Sequence, residues 1–202
     1  IPQLRRRVES QRSDRRRFLL VAPNRDAAAD LLQAQGWSAL THRGLVAASG
    51  VPLASMTYYF DGVEDLVAQA AGELARRHGD RARATVEALP GRRTSAARAA
   101  GTVVELLVGP DPSPQDLLGY YERYLRAGRS PRLRELVTGW NTDLLALVAD
   151  ALDRSGRPAD RSQLRLLVAA LDGLLVTALV EGAPDPVAVA VKAVTPLVPA
   201  AR

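Results

Sequence analysis

Apolar residues recur at three- and four-residue steps along most of the chain, and no stretch alternates with period two between hairpin turns. That pattern predicts an all-α fold. The first clear stripe is Ala27, Ala28, Leu31 and Leu32 on a helix over 25–35, with Asn24 as its N-cap after Pro23 and Gly36 as its stop. Thr41 is positioned to cap a second, short helix reaching Ser49, with Leu45, Val46 and Ala48 turned inward. Gly50 tolerates a tight turn, and Pro52 opens a third short helix ending near Tyr59 or Phe60. Two short helices about a glycine suit either a helix-turn-helix or an ordinary helical hairpin. Longer helices follow at 63–88, 95–108, 114–128, 131–154, 160–182 and 184–198. Pro90-Gly91, Gly109-Pro110, Pro112, Ser130-Pro131, Gly156-Arg157-Pro158 and Ala183-Pro184 separate them.

Composition narrows what such a chain can do. Its 202 residues suffice for a small and a larger helical domain. The pattern divides them into an arm (1–22), a short-helix domain (23–66) and a long-helix domain (67–202). Cysteine is absent, which removes disulfides, thiolate zinc sites and cysteine nucleophiles together. Of the two histidines, His42 lies in the short-helix domain. His78 sits in the charged run Arg76-Arg77-His78-Gly79-Asp80, which reads as an exposed helix end. No HExxH spacing and no phosphate-binding glycine loop occurs, so no metal, cofactor or catalytic activity is expected. No apolar run approaches the ~18–20 residues of a membrane span, and no signal-peptide core follows the arginine-rich start. A cytoplasmic protein without a membrane partner is expected.

Charge is unevenly spread. Residues 1–60 hold nine arginines against Glu9, Asp14, Asp26 and Asp30, an excess equal to the whole formal net charge of +5. A polyanion is the natural partner of such a segment. The triplets Arg5-Arg6-Arg7 and Arg15-Arg16-Arg17 suit either an arm that follows a DNA backbone or a solvated tail.

The segment from Gln35 to Leu66, QGWSALTHRGLVAASGVPLASMTYYFDGVEDL, resembles the DNA-binding domain of the tetracycline-repressor (TetR) family of bacterial regulators. The features that carry the resemblance are Gly36-Trp37, Thr41, Ala48, Gly50-Val51, the aromatic cluster Tyr58-Tyr59-Phe60, and Glu64, Asp65 and Leu66. The resemblance implies a three-helix domain whose last two helices form a helix-turn-helix, followed by a ligand-binding and dimerisation domain. The recognition helix then starts at Pro52 and offers Leu53, Ala54, Ser55 and Thr57 to base edges in the major groove, with Tyr58 and Tyr59 directed to phosphates. Thr41, His42 and Arg43 supply donors for a phosphate at the preceding helix N-terminus. Three positions depart from the family pattern. Val63 stands where a phosphate-binding lysine is usual, and Asn24 and Arg25 replace large apolar residues.

A single helix-turn-helix makes few contacts, so a two-fold dimer on a palindromic double-stranded operator is expected. Leu164, Leu167, Leu171, Leu174 and Leu175, with Val187, Val191 and Val194, supply an apolar stripe for a homodimer; part of that stripe must also serve the subunit core. Tyr120, Tyr121, Tyr124, Trp140, Asn141 and Asp143 concentrate aromatic and polar groups in an aromatic-poor chain. They either line an effector pocket or fill gaps between leucine-rich helices. The surrounding Leu, Val and Ala favour a hydrophobic or amphipathic effector, and the resemblance implies a repressor whose DNA-bound population falls when that effector binds. The alternatives are a non-specific nucleic-acid binder acting through its arm and an all-α interaction protein without ligand control.

Overall fold

A computed structural model describes residues 25–49 and 62–201. The arginine-rich arm, Asn24 and the expected recognition helix (Pro52, Leu53, Ala54, Ser55, Thr57, Tyr58 and Tyr59) lie outside the described residues. Among the described residues all regular structure is helical. Helix α1 covers 25–35, and a 3-10 turn at Trp37–Ala39 leads into α2 (His42–Ser49). The longer helices are α3 (Val63–Glu87), α4 (Ala96–Val108), α5 (Pro114–Ala127), α6 (Pro131–Arg154) and α7 (Arg161–Val180). Helix α8 (Pro186–Val194) passes into a 3-10 turn at Thr195–Leu197, where Pro196 interrupts the expected single helix. The chain divides into two compact units between Leu74 and Ala75, within α3.

In the first unit Ala28, Ala29, Leu31, Leu32, Trp37, Leu40, Leu66, Ala68 and Ala70 are buried. Gly36 adopts φ 74°, a left-handed conformation that lets its N–H reach the Leu32 carbonyl and close α1. Thr41 caps α2 as expected, its Oγ1 accepting the Gly44 N–H at 3.0 Å. Gly44 itself has no room for a side chain, because a Cβ there would lie 2.2 Å from the Ala39 carbonyl oxygen. Ala48, expected inside, is exposed, and Val46 is half-buried. Arg25 reaches the buried Glu73 on α3 at 3.3 Å, so a cation stands where an apolar residue is usual and neutralises an interior carboxylate.

The second unit is organised around α4, whose Ala99, Ala100, Val103, Val104, Leu106 and Leu107 are all buried. It packs against α5, α6 and α8, while α7 lies along α8 and also meets α5 and α6. Helix starts follow local chemistry. Ser113 and Asp116 form a reciprocal capping box before α5, and Asp160 and Gln163 do the same before α7. Ser95, Ser130 and Asp185 cap α4, α6 and α8. Arg157 ties the loops together by donating to the Thr94 carbonyl at 3.1 Å and the Pro199 carbonyl at 2.6 Å.

Helix α7 differs from expectation in one respect. It is 20 residues long and contains an 18-residue stretch with a mean hydropathy of 1.8, long and apolar enough to cross a membrane by those two measures. Arg165 and Asp172 break the run in sequence. Leu164, Leu167, Leu171, Leu175 and Ala178 are nonetheless buried in the unit, as a core helix requires.

Candidate functional sites

Thr41 and Arg43 are exposed at the start of α2, and His42 is its first residue. The Thr41 side chain is engaged in the helix cap. The first backbone N–H groups of α2 carry the partial positive charge of a helix N-terminus.

In the second unit, side chains from three helices converge. Tyr120, Tyr121 and Tyr124 come from α5, Trp140 and Asn141 from α6, and His78 from α3. Tyr120 meets Tyr121 edge-on, with centroids 5.0 Å apart; it meets Trp140 at 5.8 Å and stacks with Tyr124 at 6.5 Å. Trp140 in turn meets His78 edge-on at 5.3 Å. Asn141 Nδ2 donates to the Tyr124 hydroxyl at 3.1 Å. Sequence proximity thus correctly grouped five of these residues, whereas Asp143 is exposed on α6.

Two members of the cluster were missed. His78 is partly buried rather than an exposed helix end, because α3 continues past it to Glu87. Its Nε2 lies 2.7 Å from the Leu106 carbonyl, which assigns the proton to that nitrogen. Burial lowers its pKa, an effect only partly offset by that bond, and Arg81 and Arg123 lower it further. The second is Asp172 of α7, whose Oδ1 accepts the Tyr121 hydroxyl proton at 3.1 Å. Burial raises the Asp172 pKa against the opposing effect of that hydrogen bond. Burial and the Asp172 charge likewise push both Tyr120 and Tyr121 above the ordinary phenol range, so both remain neutral donors. The partly buried Arg123 lies near enough to influence Tyr120 and His78; desolvation lowers its own pKa.

The expected dimer stripe divides differently. Leu164, Leu167, Leu171, Leu175 and Val194 are buried in the subunit's own core, so they have no free surface to offer a mate. Leu174, Val187 and Val191 are partly buried against that core. The apolar side chains left exposed on these helices are instead Leu166 (61%), Val176 (38%), Val180 (81%) and Val189 (46%). The periodicity identified the helices, but the residues facing outward are their neighbours in sequence.

Two family models match the chain in order. The one described as "Bacterial regulatory proteins, tetR family" covers residues 25–70, and the one described as "Tetracyclin repressor-like, C-terminal domain" covers 94–200. Among solved structures, the multidrug binding protein EbrR complexed with imidazole is 29% identical, with a TM-score of 0.67 over 90% of this chain and 96% of that one. The EbrR complex with proflavin is 27% identical, with a TM-score of 0.66 over 88% and 98%. The Streptomyces coelicolor A3(2) regulator SCO7518 is 27% identical, with a TM-score of 0.63 over 88% and 96%. No curated protein matches the chain.

Proposed function

Because the chain belongs to the TetR family and is a ligand-responsive DNA-binding transcriptional regulator, we propose that it is a homodimeric repressor released from a palindromic operator by a small hydrophobic or amphipathic molecule. Residues 23–66 serve as its DNA-binding domain and 67–202 as its effector and dimerisation domain. A regulator rather than an enzyme is what the family suggests, and this reading assigns no residue a catalytic role.

The aromatic and polar cluster of Tyr120, Tyr121, Tyr124, Trp140 and Asn141 carries the effector part of the reading. It lies within the span that matches the C-terminal family domain, and the similar EbrR has been crystallised with imidazole and with proflavin. Polar groups converging among apolar helices are typical of small-molecule sites. The apolar side chains exposed on α7 and α8 support the dimer, because two such faces bury each other across a two-fold axis. Thr41, His42 and Arg43 start the helix before the proposed recognition segment, where donors meet phosphate; Pro52 to Tyr59 would enter the groove.

The test is binding to the DNA upstream of the protein's own gene. A footprint with two half-sites and a preference of about 10³ or more over random DNA is expected, lost when the effector is added. Equal affinity for both DNAs would refute operator recognition. Deleting residues 1–17 tests the arm. If it neutralises phosphates, the slope of log affinity against log salt flattens by about one unit for each lost contact. An unchanged slope identifies it as a solvated tail.

A further inference from the structure

Asp172 is a carboxylate on the one helix among the described residues that is long and apolar enough to cross a membrane, half-buried and without an ion-pair partner among the described residues. Its one hydrogen bond is the Tyr121 hydroxyl, a neutral donor. Withdrawing a carboxylate from water without a counter-ion disfavours the folded state, so a residue needed only for packing would be apolar. The neighbouring rings belong to Tyr120 and Tyr121, with Trp140 beyond Tyr120. Aromatic faces carry negative potential and attract organic cations.

The other charged and titratable groups near these rings are His78 and Arg123. His78 is held neutral by burial and therefore adds no competing positive charge. Arg123 influences Tyr120 and His78, with Asp116 and Glu122 as its own acidic neighbours, whereas the proton affinity of Asp172 is set by burial and Tyr121. Among the described residues the carboxylate is thus left without a positive partner.

We propose that Asp172, together with Tyr120, Tyr121 and Trp140, seats a positively charged group of the effector, which is therefore an organic cation such as a quaternary ammonium or a cationic aromatic. This rests on the effector-responsive reading and names the ligand class of that same site. The aromatic rings provide the apolar body of the seat and the carboxylate supplies its charge selectivity. The complex gains a counter-ion that the described residues do not supply.

The experiment compares phenyltrimethylammonium with tert-butylbenzene, which has the same shape without the charge. Hydrophobic transfer alone favours the uncharged compound in any apolar site, so tighter binding of the cation reports a charge-selective seat, and its loss in Asp172→Asn assigns that selectivity to the carboxylate rather than to the rings. Binding to the full chain is followed by Trp140 fluorescence, with Trp140→Phe as the spectroscopic control, and by release of a fluorescent operator duplex. The cation is expected to bind at least about tenfold more tightly than its isostere and to release the operator. Asp172→Asn, which keeps an acceptor for Tyr121, should weaken the cation by about tenfold and leave the isostere within about twofold. Asp172→Glu should retain the preference for the cation, which keeps the proposal testable if Asp172→Asn folds poorly. Equal binding of the two compounds, or indifference of both to Asp172→Asn in a folded variant, overturns the proposal. Release of the operator by the uncharged compound alone overturns the cation seat and leaves the regulator intact. Absence of any preferred DNA site defeats the regulator reading, and the cation seat then survives only if the direct binding contrast holds.

Discussion

Replacing Gly44 by alanine sets two opposed effects against each other in the DNA-binding half of the chain. In an unobstructed helix interior, Gly→Ala stabilises by about 1 kcal/mol, because alanine has less backbone freedom to lose. At Gly44, however, the new Cβ would fall 2.2 Å from the Ala39 carbonyl oxygen and 3.3 Å from Thr41 Oγ1. Relief needs a movement of about 1 Å to approach ordinary van der Waals separation. The obstacle is backbone rather than the end of a flexible side chain. The Ala39 oxygen accepts the Thr41 N–H at 2.8 Å, and its turn lies between the buried Trp37 and Leu40. Overpacking of this kind costs about 1–3 kcal/mol, and a weakened turn hydrogen bond adds about 1 kcal/mol. The net expectation is a loss of about 2 kcal/mol.

Urea unfolding measures it. Trp37 reports on the first unit when Trp140 is replaced by phenylalanine, which avoids treating two units as one transition. With a slope of about 2 kcal/mol per molar urea, the Gly44→Ala midpoint should fall by about 1 M. Gly139→Ala is the control for helix propensity, read in the second unit at Trp140 with Trp37 replaced by phenylalanine. Gly139 is exposed within α6, with nothing within 4 Å of its would-be Cβ, so that midpoint should rise. A Gly44→Ala midpoint at or above the parent's would refute the steric argument, because helix propensity alone would then account for the site.

Three further outcomes follow from named contacts. Arg157→Ala removes two charge-assisted hydrogen bonds to the Thr94 and Pro199 carbonyls, and urea unfolding read at Trp140 should show a loss of about 3 kcal/mol, of which Arg157→Lys restores only part. Leu166→Glu combined with Val180→Glu should give a monomer by sedimentation with helical content intact, while Leu164→Glu should unfold the subunit; persistent dimers in the first variant would place the interface elsewhere. His78 has a folded-state pKa below its unfolded value near 6.5, so its contribution to stability is full above that pH and is lost as pH falls through 6.5 toward the folded value. Thermal melts at pH 7.5 and 5.5 should therefore show an acid loss in the parent chain that is smaller in His78→Gln.

The helical skeleton could be read locally because its signals are local. Ser113 with Asp116, Asp160 with Gln163, and Thr41 ahead of Gly44 each satisfy helix-terminal N–H groups within three residues, so a cap is visible in the sequence itself. The aromatic cluster was partly legible for the same reason, since Tyr120, Tyr121 and Tyr124 follow one another on α5. Its remaining members come from sequence-distant helices, and spacing within one helix does not identify its neighbour across the core. Asp172 is separated from Tyr121 by 51 residues, and His78 from Leu106 by 28. Helix α7 shows the limit most clearly. It is apolar around so much of its circumference that periodicity cannot distinguish Leu164, Leu167 and Leu171 facing the core from Leu166 and Val180 facing out.

The useful signal on α7 was its exception rather than its pattern. Asp172 is the sole acidic residue among the twenty of that helix. A helix selected only for packing would have no use for a carboxylate at that position, because its burial disfavours the charged form. The sign of that penalty is testable. Asp172 has a folded-state pKa above its unfolded value, so the folded chain binds the extra proton and gains relative stability as pH falls through the folded value toward 3.8; above that window the charged side chain weakens the fold. Asp172→Asn should consequently melt no lower than the parent at pH 7, and its advantage should shrink on acidification. If the variant melts lower at pH 7 by more than about 1 kcal/mol, the carboxylate is a structural support, and the argument that it is kept for a positively charged visitor loses its physical basis.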